Sequence, residues 1–188
     1  MSKLINFIAL LTITLSFWCA GCGLLEQTAD ANKLVVEANG LIVQDNQQAI
    51  SANIQLQELL GTGLSDTEDL AKYKRENQAA LDELAAKFTR IEQNEALITE
   101  KFRQASQYKL NEKYKQYLDL KTQEFAKQTE TAKLVNPLIA SFREAQDTAQ
   151  VIARLDEFDV KYESLRREIV DLQAQSDQIA KANPTLIK

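Results

Sequence analysis

The sequence predicts an all-α protein in which three or four long antiparallel amphipathic helices form an elongated, coiled-coil-like bundle. Three observations carry that expectation. Beyond residue 25 the chain is filled by Ala, Leu, Gln, Glu and Lys, which are strong helix formers. Glycine there is confined to Gly40, Gly61 and Gly63 and proline to Pro137 and Pro184, so helix breakers are few. Apolar residues recur at alternating intervals of about three and four, the spacing of a helix–helix seam, and no apolar/polar alternation runs long enough for a sheet.

The first helix is expected from about Glu26 to Leu60, ended by Gly61-Thr62-Gly63. Asn32, Asn39, Asn46 and Asn53 recur within it at heptad spacing, each on the side of the apolar residues that follow, Val35/Val36, Ile42/Val43 and Ala49/Ile50. Three readings fit this column. It is the polar border of an amphipathic stripe, a ladder whose amides fix helix register at a cost in stability, or a row that binds a ligand.

The second helix opens at Ser65-Asp66-Thr67-Glu68, a capping box in which the Ser and Glu side chains satisfy each other's backbone donors. Its seam is Leu81, Leu84, Phe88, Ile91, Ile98, Phe102 and Ala105, broken at Glu95. In phase, the seam would continue to Lys109, Glu112, Gln116 and Asp119, where it is lost. A new one runs through Leu118, Phe125, Ala132 and Ile139, with Val135 and Phe142 as partners. The displacement is two positions in the heptad count, and at about 100° per residue it turns the apolar face to nearly the opposite side. Either the helix ends near Ser106–Asn111 and the chain turns back, or one helix passes between different neighbours. The turn is the favoured expectation, because an unbroken helix over 65–135 would extend roughly 105 Å at 1.5 Å per residue.

Asn136-Pro137 is the next expected boundary, with Asn as cap and Pro in the first turn; a kinked continuous helix is the alternative. The last helix carries the most regular seam, Leu155, Phe158, Tyr162, Leu165, Ile169, Leu172 and Ile179, and ends at Asn183-Pro184. Residues 26–183 are thus expected to form a single helical-bundle domain, with 184–188 a tail.

The N-terminus has a different grammar. Met1-Ser2-Lys3 supplies one positive charge, Leu4 to Phe17 is mostly apolar, and small residues follow at Ala20 and Gly21. This is the plan of a secretory signal over residues 1–21, and the apolar run is shorter than the roughly 20 residues a membrane span requires. Small residues directly before a cysteine, Ala20-Gly21-Cys22, resemble the lipobox of bacterial lipoproteins, departing from it at Cys19, where Leu is usual. The resemblance implies that the leader is removed and that Cys22 becomes the first mature residue. It further implies that Cys22 carries diacylglycerol and palmitate-type acyl chains, with residues 22–25 as a short tether. The implied location is the cell envelope, on the non-cytoplasmic side of a bacterial membrane.

Composition narrows the chemistry. The formal net charge of −5 gives no global pull towards nucleic acid or anionic lipid. There is no histidine, and both cysteines, Cys19 and Cys22, lie at the leader, so zinc sites and Ser-His or Cys-His nucleophiles are unavailable. No cofactor, metal or enzymatic activity is expected. Asp156-Glu157-Phe158-Asp159 lacks the glycine and spacing of a calcium loop.

The local departure from acidity is 101–127, where lysines interleave with tyrosines; its candidate binding residues are Lys109, Lys113, Tyr114, Lys115 and Tyr117. They form a solvated face with tyrosines at the core rim, or they bind an anionic cell-wall polymer or glycan. The expected function is therefore a membrane-anchored envelope lipoprotein with a non-catalytic scaffold or protein-interaction role, through a protein partner or self-association. A cell-wall or glycan-binding lipoprotein is the alternative, and the Lys/Glu/Gln-rich helical body is similar in general style to the cell-wall-binding lipoproteins of Gram-positive bacteria.

Overall fold

Each amphipathic helix carries its apolar residues on one side and must bury that side against a neighbour. The computed structural model, which describes residues 25–62 and 69–184, meets this requirement with an all-α bundle. Helix α1 spans Leu25–Leu56 and widens into a π-helical turn at Gln57–Thr62; α2 is Leu70–Glu76, α3 Gln78–Ser106, α4 Glu112–Lys133, α5 Val135–Glu144 and α6 Thr148–Ala182. The expected capping box at 65–68 lies outside the described residues. The cap seen for α2 is Asp69, whose carboxylate accepts from the Lys72 amide at 2.9 Å.

Cross-helix pairs give the direction of packing. Gln55 meets Lys87, Asp45 meets Asn94 and Glu37 pairs with Lys101, so α1 and α3 are antiparallel. Phe102 stacks on Phe125, Asn136 donates to Thr89 and Arg143 pairs with Asp82, which sets α3 against α4 and α5 in the same sense. α6 packs back along α4, with Lys127 reaching Glu168. The result is an up-down-up-down bundle in which α1 and α6 face each other with little close backbone contact.

The phase shift between seams is resolved by a turn. α3 ends at Ser106 and α4 begins at Glu112, capped by Asn111, which accepts from the Lys113 amide at 2.8 Å. All seven apolar residues of the α3 seam are buried, and so is Glu95, which stands in the same row.

The boundary expected at Asn136-Pro137 needs correction. α4 and α5 are one helical path kinked at Leu134, whose backbone stays helical at φ −71°, ψ −25°. Pro137 has no N–H to return to the Lys133 carbonyl and its ring crowds that carbonyl, which bends the path without ending it. The chain reverses later, at Ala145–Asp147, where Asp147 caps α6 by accepting from the Gln150 amide at 2.9 Å. Neither Gly nor Pro marks that turn; the signal was Asp147-Thr148 before a helix.

Two apolar blocks fill the bundle. One joins Leu56, Leu60, Leu81, Leu84, Ile139 and Phe142. The other joins Ala31, Ala38, Ile98, Phe102, Leu118 and Phe125 at the end where α1 starts. Between them lies a polar layer.

Candidate functional site: a polar layer and its cavity

The layer is built from four positions on three helices. Asp45 on α1, Glu95 on α3 and the Lys121–Glu124 pair on α4 are all buried where their seams would otherwise place apolar side chains. Burying a charge is unfavourable unless it is paired and hydrogen-bonded. Lys121 and Glu124 meet that condition, with Nζ and Oε2 2.7 Å apart and the ammonium 5.3 Å from the centre of the Phe125 ring. Burial still pushes the Glu124 carboxyl upward, against the pull of Lys121. Asp45 Oδ1 accepts from Asn94 Nδ2 at 3.0 Å, but burial raises its carboxyl to about 6.

Glu95 differs. It is 7% exposed and its Oε2 has no hydrogen-bond partner among the described residues. Burial, then the charges of Asp45 and Glu92, pushes its carboxyl well above the ordinary range.

A cavity of about 130 Å³ adjoins this layer, with walls from α1, α3, α4, α5 and α6. Its polar side is Glu95, Lys121, Glu124, Asn53 and, from α6, Arg166. Phe88, Phe125, Phe158 and Tyr162 supply aromatic walls. Phe158 and Tyr162, one turn apart, stack with ring centres 5.9 Å apart, and burial lifts the Tyr162 hydroxyl to about 12.

The asparagine column divides. Asn32 accepts a hydrogen bond from the Tyr114 hydroxyl across α1 and α4. Asn39 is exposed. Asn46 and Asn53 are half-buried on the cavity wall, and Asn53 Oδ1 has no hydrogen-bond partner among the described residues.

The lysine and tyrosine candidates also divide. Lys109, Lys113 and Lys115 are exposed. Tyr114 is 3% exposed, part of the apolar block, and burial drives its hydroxyl upward. Tyr117 is half-buried, its hydroxyl raised to about 12 by burial and then by Glu124 and Asp177. The rings therefore support the core, and the exposed face of this region carries Lys109, Lys113 and Lys115 beside Glu112, Gln116 and Asp119. Cys22 lies outside the described residues.

Sequence reasoning did not assemble Asp45, Glu95, Lys121, Glu124 and Arg166 into one place. The available signal was the break at Glu95 in an otherwise apolar seam, together with Lys121 between Leu118 and Phe125.

Among the described residues there is no group of three or more His, Cys, Asp or Glu side chains arranged to hold a metal ion, and no helix long and apolar enough to cross a membrane. Comparison with protein-family models, with curated proteins and with solved structures gives no match.

Proposed function

We propose that the chain is an envelope lipoprotein, held by acyl chains on Cys22 to the non-cytoplasmic face of a bacterial membrane, whose helical body is a non-catalytic scaffold for self-association. The supporting observation lies at one end of the bundle. The Lys109 amide donates to the Gln27 side chain at 2.6 Å, which sets the α3–α4 turn beside the first turn of α1. Lys109, Lys113 and Lys115 thus share the end that a lipid on Cys22 brings to the bilayer. Near an anionic headgroup layer each such lysine contributes about 1 kcal/mol. With the Tyr114 ring in the core and Tyr108 and Tyr117 half-buried, the patch offers mainly point charges, which favours headgroups over a glycan.

The contact surface is on α1. Val36, Val43 and Ile50 are exposed at heptad spacing, with Asn39 and Asn46 between them. Two copies anchored in one leaflet present α1 in the same direction, and this spacing forms a parallel seam in which Asn39 meets Asn39.

Labelling cells with an alkyne fatty acid tests the anchor: wild type is expected to label and Cys22→Ser to stay blank, and equal labelling refutes it. A Val43→Cys variant is then expected to form a disulfide-linked dimer in membranes under mild oxidation. Persistent monomer removes the self-association reading.

A further inference from the structure

The cavity carries an inference that goes beyond the anchored scaffold and does not depend on it. We propose that it binds a small alkylammonium ion, whose N–H groups donate to the Glu95 carboxylate and whose alkyl body lies among the aromatic walls.

Hydrogen-bond accounting points to a donor. Buried polar atoms are nearly always paired. Two acceptors on this wall, Glu95 Oε2 and Asn53 Oδ1, have no hydrogen-bond partner among the described residues. A protonated primary amine brings three N–H donors and no acceptor.

Charge points the same way. The two cations on the cavity wall are already matched, Lys121 by Glu124 at 2.7 Å and Arg166 by Glu163 at 3.1 Å. Glu95 has no ion pair among the described residues, so an anionic ligand has to break a pair whereas a cation completes one. The rings of Phe88, Phe125, Phe158 and Tyr162 suit the occupant too, because aromatic faces attract ammonium groups and pack against short alkyl chains.

Size limits the ligand. An apolar protein cavity of about 150 Å³ takes benzene, so about 130 Å³ admits roughly six non-hydrogen atoms. Close backbone contact is sparse between α1 and α6, both of which line the cavity.

The test is calorimetric titration of the full chain in a non-ionic detergent with n-butylammonium chloride, against 1-butanol and butyrate as neutral and anionic controls. Saturable binding of butylammonium alone is expected, and Glu95→Gln, which keeps the side-chain shape, is expected to weaken it at least tenfold. Burial pushes the Glu95 carboxyl upward and a bound ammonium pulls it back down, so binding releases protons. Of the charged groups around it, Asp45 on α1 and Glu92 on α3 raise the Glu95 carboxyl, while Lys121 and Glu124 on α4 and Arg166 on α6 share the cavity wall. Wild type titrated in two buffers of different ionisation enthalpy reads that proton directly, whatever the fate of the Gln variant. Butanol binding as well as butylammonium, undiminished binding by Glu95→Gln, absence of proton release, or no binding of the amine would each overturn the proposal.

Discussion

Asn94 on α3 donates its Nδ2 to Asp45 Oδ1 on α1 at 3.0 Å, one residue before the seam position held by Glu95. The bond joins two helices where the apolar core is interrupted, and it places the Asp45 carboxyl where its charge helps to raise that of Glu95.

These carboxyls make stability depend on pH in a defined direction. Asp45 moves from 3.8 to about 6 on folding, so between those values the folded state binds more protons than the unfolded one. Its contribution is most favourable below the lower value and declines as pH rises through the folded one. At pH 7 the shift corresponds to a penalty on the order of 2–3 kcal/mol. Asp45→Asn keeps an acceptor for Asn94, and urea denaturation should show it gaining stability over wild type progressively from pH 4 to 7. A constant difference across that range would show that Asp45 is not the titrating group.

Lys121 and Glu124 are 7% and 4% exposed, and removing one strands the other. Lys121→Met is expected to lose about 3–5 kcal/mol in equilibrium unfolding, whereas the double change Lys121→Met with Glu124→Leu should recover most of that loss.

The Tyr114 hydroxyl and Asn32 form a polar contact between α1 and α4, beside the α3–α4 turn. Tyr114→Phe should cost about 1 kcal/mol, and adding Asn32→Ala should cost less than the sum of the single changes, as a double-mutant cycle reads. Additive losses would mean that the contact contributes nothing to stability.

Asp147 caps α6 at a turn that has no glycine or proline. Asp147→Ala should reduce stability by about 1 kcal/mol, while Asp147→Ser should retain most of it. Thermal unfolding of the two variants separates the cap from a general effect of losing a charge.

The α3 row Leu81 to Ala105 could be read from spacing alone, because a helix that buries one side must repeat its apolar residues with the helical period. The turn at 107–111 was legible for the same reason: the seam changes phase there, and one straight helix cannot present both faces to one core. The turn at 145–147 was harder to read, since its capping aspartate is chemically ordinary and the louder Asn136-Pro137 only kinks a helix. The last seam was visible, yet Leu155, Leu165 and Leu172 remain partly exposed. Periodicity reports which side of α6 faces inward, and the sparse contact between α6 and α1 decides how completely that side is covered.

By itself the sequence determined the all-α class and the inward rows of α3 and α4, because helix propensity and apolar period are properties of neighbouring residues. Only the tertiary structure decided that Glu95, Lys121, Glu124 and Arg166 line one cavity, that Tyr114 belongs to the core, and that the lysine-bearing turn stands beside the start of α1. Those relations join residues far apart in the chain through helix direction and register, and a buried charge is written with the same letter as a solvated one until its neighbours are known.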